Sequence, residues 1–328
     1  ANGVFSYGGN GGRNGAEGGG TTVIIRDTVI TTEGNGSGGI MTTGGGTTYA
    51  YDLTVTTSGR SSAAIRTDRG GGAVYVDGGS YTSNGLGSPA IYSTADITVE
   101  NAVLTSNLSE GVCIEGKNSI TLNNCDLTAN NTACNGNATF LDTIMIYQSM
   151  SGDADSGTSS FTMTGGSITG NTPKNGQYSG VTNAGTFTMT GGSITNNTAT
   201  NAIGGVYGTQ FGTFNISGNP TITGNTSNGA ADNVHLYNSQ ITIIGAMTNT
   251  RPIGVKMSTP GVFTTGSTNA KGDTVSTEVG TVSVTLDDSS TWTLTGDSYV
   301  TEFNGNASNI ISNGYTLYVN GVALTGTN

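Results

Sequence analysis

The sequence predicts an all-β solenoid, a single right-handed parallel β-helix with three short strands in each winding of about 23–28 residues. Three observations carry this. First, Phe161–Thr172 reads FTMTGGSITGNT and returns as FTMTGGSITNNT at Phe187–Thr198, 26 residues on (187 − 161), and more loosely as FNISGNPTITGNT at Phe214–Thr226. Repeats of about 20–50 residues mark solenoids, propellers and arrays. Second, apolar and polar residues alternate within each copy: Phe161, Met163, a break at Gly165-Gly166, then Ile168. That is strand periodicity on both sides of a turn. Third, an apolar residue followed by Thr, usually with Asn two positions further on, recurs along the chain at 30, 55, 81, 104, 127, 168, 194 and 222.

The steps between those positions are 25, 26, 23, 23, 41, 26 and 28, so one winding carries an insertion within 131–159. A third strand follows each Asn after a variable loop. It reads Ile40-Met41, Ile65-Arg66, Ile91-Tyr92, Ile114-Glu115, Ile146-Tyr147, Val181-Thr182, Val206-Tyr207 and Val234-His235. A propeller blade would need four antiparallel strands joined by hairpins, whereas the breaks here fall at the same three places in every repeat. Windings of a β-helix stack at about 4.8 Å, so like residues form ladders. Phe161, Met163 and Ile168, with Phe187, Met189, Ile194 and Ile97, Val99, Leu104, are the expected core, and the glycine pairs are the expected corners. Asn84, 107, 130, 171, 197 and 225 are expected to form one internal amide ladder.

The regular windings occupy 1–240, with 241–280 the least regular stretch and 281–328 shorter terminal windings, all in one body. Val4–Gly9 aligns with Ile40–Gly45, so the chain is expected to open on the last strand of a winding, as a processed or excised fragment would. An uncovered winding is an exposed sheet edge, which raises a structural alternative: a filament of copies joined end to end.

With 33% apolar and 9% charged residues the composition looks poor for folding, yet disordered tracts lack a repeating apolar set. The net charge of −11 and the lack of basic clusters argue against nucleic acid as a partner. No run of about 18 apolar residues is present to span a membrane. Three cysteines, Cys113, Cys125 and Cys134, are too few for a disulfide framework and leave at least one unpaired within the chain.

The GGSIT-(G/N)-NT units at Gly165–Thr172 and Gly191–Thr198 resemble the repeats of bacterial adhesin-like right-handed parallel β-helix proteins, including the polymorphic outer-membrane type. Gly39–Gly46 (GIMTTGGG), Ser61–Gly72 (SSAAIRTDRGGG), Ser88–Thr94 (SPAIYST), Glu110–Lys117 (EGVCIEGK) and Ser290–Val300 (STWTLTGDSYV) are similar to extracellular β-helix proteins of gut Firmicutes, related to clostridial carbohydrate-binding β-helix proteins. The resemblance implies a protein outside the cell or on a bacterial surface, adhering to a polysaccharide or host glycan. It supplies no catalytic residue.

Cleavage of acidic polysaccharides would need two carboxylates facing one another, or a calcium-binding acid cluster beside a base. The acids available are Asp68, Glu110, Glu115, Asp153, Asp155 and Asp287-Asp288. Arg66, Asp68 and Arg69, with Glu110, Glu115 and Lys117 about two windings on, form the one charge-dense patch, which reads first as a solvated, ion-paired corner and second as a binding or catalytic patch. Asp153 and Asp155 have part of the spacing of a calcium loop, leaving Ca2+ as the one cofactor in view. His235, the single histidine, reads as an isolated surface ring. The expected function is therefore non-catalytic binding through a lateral face. Arg66, Tyr92, Glu115, Tyr147, Tyr207 and then His235 or Tyr237 follow one another on the outward side of the third strand. Spaced tyrosines with polar tips suit stacking against sugar rings.

Overall fold

The computed structural model describes residues 1–7, 20–68, 70–131, 143–147, 157–172, 180–259, 263–266 and 282–328. Among these, regular structure is strand, apart from a 3-10 turn at Ala307–Asn309. The protein is all-β, built on two long sheets whose strands pair in parallel.

The first sheet has twelve strands. It runs through Val4–Tyr7, Ile40–Thr43, Ile65–Thr67, Ile91–Ser93, Val112–Glu115, Ile144–Tyr147, Val181–Asn183, Val206–Gly208, Val234–Leu236 and Ile253–Met257, then Val282–Thr285 and Glu302–Asn304. The second sheet, of sixteen strands, has two arms bridged by the long strands Gly46–Thr57 and Gly72–Ser83. Asp96–Glu100, Ser119–Asn123, Ser160–Met163, Thr186–Met189 and Thr213–Gly218 follow one another in one arm. Val103–Ser106, Cys125–Ala129, Gly166–Thr169, Ser193–Thr195 and Thr221–Thr223 do so in the other. Successive stretches of chain thus give one strand to the first sheet and one to each arm of the second.

Pairing is in register. Ile120, Phe161, Phe187, Phe214 and Ile241 lie beside one another in order. So do Tyr81, Leu104 and Leu127, then Ile168, Ile194 and Ile222. In the first sheet the series is Ile40, Ile65, Ile91, Val112, Ile144, Val181, Val206 and Val234. All these side chains are buried in one core. β-Branched and aromatic residues suit this packing, and each contributes about 1.5–3 kcal/mol of burial before entropy is deducted. The rings of Phe161, Phe187 and Phe214 stack at 5.3 and 4.9 Å. Hairpin pairing is confined, among the described residues, to Thr226–Ser227 with Ala230–Ala231 and Leu317–Val319 with Val322–Ala323. At the corner before Ile168, Gly166 has φ +83° and a Cβ there would lie 2.0 Å from the Cys125 carbonyl oxygen. Only glycine fits.

The expected single asparagine ladder divides in two. Asn171, Asn197 and Asn225 are fully buried, and Asn171 Nδ2 donates to Asn197 Oδ1 at 2.7 Å while Asn197 Nδ2 donates to Asn225 Oδ1 at 2.9 Å. Asn107 and Asn130 are exposed and Asn84 half-buried; Asn107 Nδ2 meets Asn84 Oδ1 at 2.6 Å outside the core. One extra residue explains the difference. Gly170, Asn196 and Gly224 adopt positive φ of 69°, 57° and 69°. Each turns the following Asn inward to the level that Ser83, Ser106 and Ala129 occupy without it. In the earlier repeats serine takes over the ladder's work: the Ser37 and Ser62 amides donate to Ser62 Oγ (2.9 Å) and Ser88 Oγ (2.8 Å).

The described residues 241–259 and 263–266 are more regular than their sequence indicates. Ile241–Met247 and Thr264–Gly266 extend the second sheet and Ile253–Met257 the first, with Ile241 beside Phe214 and Val255 beside Val234. A register shift between Ile216 and Gly218 disguises the continuation. Beyond 281, Val282–Thr285 and Glu302–Asn304 stay in the first sheet, while Trp292–Thr293 and Ser298–Val300 start smaller ones. Of the stretch 131–159 expected to hold the insertion, residues 132–142 and 148–156 lie outside the described residues, and so does Cys134. Cys113 and Cys125 are buried. No helix among the described residues is long and apolar enough to cross a membrane.

Candidate functional site

The outward side of the first sheet carries the chemistry, because in-register pairing sets alternate side chains in columns on it. The column observed is Phe5, Met41, Arg66, Tyr92, Cys113, Met145, Thr182, Tyr207, His235 and Lys256. Glu115 and Tyr147 therefore do not belong to it, contrary to the expectation. They pair with each other two residues further along their strands. The cause is the choice of anchor: Val112 and Ile144, not Ile114 and Ile146, pair in line with Ile91. A two-residue offset keeps the face and changes the column. Tyr237 likewise follows His235 by two residues; it is 41% exposed. The predicted aromatic line is thus interrupted, since Cys113, Met145 and Thr182 between Tyr92 and Tyr207 are buried.

Two groups of side chains remain. In the first, Arg66 Nη2 bonds Asp68 Oδ2 at 2.6 Å and Arg66 Nη1 bonds the Ser61 carbonyl at 3.2 Å. The guanidinium lies 5.6 Å from the Tyr92 ring centre. Tyr92 hydrogen-bonds Glu115, and burial, then the nearby Glu115 charge, push its phenol far above the ordinary value. A neutral phenol is thus fixed as a donor to the carboxylate. Of the expected charged patch, Arg66, Asp68 and Glu115 do assemble, and Arg69 lies outside the described residues.

Glu110 is buried and receives the Ser109 hydroxyl. Burial outweighs that bond and raises its carboxyl from 4.5 to about 7. The unfolded chain releases this proton around pH 4.5 and the folded chain around 7, so its stabilising effect is complete below pH 4.5, declines between 4.5 and 7, and is gone above. At 1.36 kcal/mol per pH unit the loss is about 3 kcal/mol. Urea midpoints at pH 4.5 and 7.5 should show the decline, and Glu110→Gln should flatten it; an equal decline in the variant would exclude Glu110 as its source.

In the second group Tyr207 meets His235 edge-on, with ring centres 6.0 Å apart at 82°. Burial, then Tyr237, raises the Tyr207 phenol. His235 is not isolated, as its sequence surroundings indicate, but lies between two partners. Nε2 is 2.8 Å from Ser258 Oγ and Nδ1 is 3.7 Å from Asp232 Oδ1. The Asp232 side chain is 3% exposed; its Oδ2 accepts from the Gly204 amide at 3.2 Å, while Oδ1 has no hydrogen-bond partner. Such an unpaired buried acceptor costs about 1–3 kcal/mol.

A further aromatic patch escapes sequence reasoning. On the long strands of the second sheet Tyr49 and Tyr75 stack at 5.0 Å, and the Arg26 guanidinium lies 3.8 Å from the Tyr51 ring centre. Strand alternation in Thr47–Tyr51 would have revealed its outward tyrosines. The expected calcium ligands Asp153 and Asp155 lie outside the described residues, and no group of three or more His, Cys, Asp or Glu gathers among those described. Asp287 Oδ1 accepts from the Ser289 amide at 2.9 Å and hydroxyl at 2.8 Å, which makes it a turn-closing residue and holds its carboxyl below the ordinary value.

These features define an all-β protein of stacked parallel strands with a polar and aromatic lateral face. Compared with protein-family models, curated proteins and solved structures, the chain matches none of them.

Proposed function

We propose that the chain is a right-handed parallel β-helix displayed outside a bacterial cell, where it binds polysaccharide along the outward side of the twelve-stranded sheet. The observation that carries this reading is the concentration of Arg66, Tyr92, Glu115, Tyr207, His235 and the exposed Tyr237 on that side, in a chain only 9% charged. Arg66 offers hydrogen bonds to hydroxyl groups, the buried Glu115 holds the Tyr92 phenol, and tyrosine rings offer faces to the C–H surface of a sugar. The repeat supports the helical winding: each of the three strand positions pairs only with its own kind in the neighbouring repeats.

A glycan array screened with the native chain should give retained polysaccharides. Replacing Arg66, Tyr207 and Tyr237 together with alanine should weaken that retention by at least tenfold, about 1.4 kcal/mol, with little change in Tm. Unchanged retention would discard this face. Assembly end to end is the second reading. Ile24 and Val29, 63% and 75% exposed on outermost strands of the second sheet, favour it, and long assemblies in sedimentation at low concentration would support it.

A further inference from the structure

We infer that Ser258, His235 and Asp232 form an acyl-transfer centre that hydrolyses short-chain acyl esters of alcohols. A hydroxyl is activated when a base lies within hydrogen-bond reach and a third group orients that base. Here the His235 Nε2 to Ser258 Oγ distance is 2.8 Å, inside that reach. The third group is Asp232, whose otherwise unpartnered Oδ1 faces Nδ1 at 3.7 Å. That is longer than a hydrogen bond, and contacts of this kind tighten when substrate binds. A carboxylate on the Nδ1 side favours the tautomer with its proton there, leaving Nε2 free to accept.

The fold brings the three together across neighbouring strands. Asp232 and His235 flank the start of Val234–Leu236, and Ser258 directly follows Ile253–Met257, which pairs with it. The Ser258 amide donates to the Leu236 carbonyl at 3.0 Å, pinning the nucleophile beside the base. Ser258 is exposed and His235 half-buried, so a substrate can reach them, whereas Asp232 is shielded. Lys256, exposed and in register with His235, places a positive charge on the same side.

The chemistry closes without a cofactor. Ser258 Oγ bonds the ester carbonyl carbon as its proton passes to Nε2. The tetrahedral intermediate then breaks its C–O bond, and the departing alcohol takes that proton. Water attacks the acyl-serine, giving a proton to Nε2, and the acid leaves as Ser258 regains its hydroxyl. The open site suits esters, whose alkoxide departs more readily than an amine. O-acyl groups on a polysaccharide held by the same sheet fit it, and this part alone rests on the binding reading.

The test uses 4-nitrophenyl acetate, which needs no glycan binding, so its outcome is separable from that of the array. The native chain should hydrolyse it above the buffer rate, and Ser258→Ala and His235→Gln should each lose at least 100-fold. Asp232→Asn, altering a positioning residue, should lower kcat with KM unchanged. A fluorophosphonate should add its mass to the Ser258 peptide, and this labelling should vanish in His235→Gln. Native hydrolysis no faster than buffer, full activity in Ser258→Ala, or no label on Ser258 would each overturn the inference.

Discussion

Replacing Asn197 with alanine is expected to destabilise the folded chain by about 3–5 kcal/mol. Asn197 Oδ1 accepts from both the amide (3.1 Å) and the side-chain Nδ2 (2.7 Å) of Asn171. Its own Nδ2 donates to the Ile168 carbonyl (3.1 Å) and Asn225 Oδ1 (2.9 Å). All three asparagines are fully buried, so water cannot replace these bonds. The substitution takes the acceptor from two buried donors and a donor from two acceptors, one of which keeps the Asn197 amide. Each group left unmatched costs about 1–3 kcal/mol. Asn107→Ala is the control, since its bond to Asn84 is exposed and worth less than about 1 kcal/mol. Urea unfolding should separate the two variants; equal midpoints would mean that the buried ladder does not stabilise the fold.

Phe187→Ala should cost about 3–5 kcal/mol. The ring is fully buried and stacked on both sides, against Phe161 and Phe214, so its loss opens a cavity in the middle of a column. Backbone pairing on both sides holds Phe161 and Phe214 in place, which limits how far the gap can close. Phe187→Leu, keeping most of the volume, should cost less than half as much. Because stacked repeats interact with nearest neighbours, hydrogen exchange should rise first around Thr186–Met189 and Ser193–Thr195, well before Ile40–Thr43. Uniform acceleration along the chain would contradict that nearest-neighbour picture.

The core is legible in the sequence because it recurs at matching positions, identically in the two closest repeats: Phe161 and Phe187, Met163 and Met189, and Ile168 and Ile194 are neighbours both in pattern and in space. The lateral face is less legible. Val112-Cys113-Ile114 offers two apolar anchors two residues apart, and periodicity alone cannot choose between them. Asn107 and Asn171 look equivalent in the alignment, yet the left-handed residue Gly170 turns one inward and not the other. The Ser258–His235–Asp232 group is invisible for a different reason. His235 and Ser258 are 23 residues apart and meet only through pairing of Val234–Leu236 with Ile253–Met257, in the stretch whose repeat the sequence blurs.

Spin labels placed in pairs along the outward threonine column measure the stacking most directly. Thr56, Thr82, Thr105 and Thr128 are consecutive partners, as are Thr169, Thr195 and Thr223, with the strands of Thr128 and Thr169 paired between them. At about 4.8 Å per strand, Thr82–Thr195, Thr82–Thr223 and Thr56–Thr223 should give separations of about 19, 24 and 29 Å between attachment points. Distances rising by one strand spacing per repeat are the predicted result. Distances that fail to grow with the number of intervening repeats would contradict the stacked winding, and with it the continuous face on which the proposed binding depends.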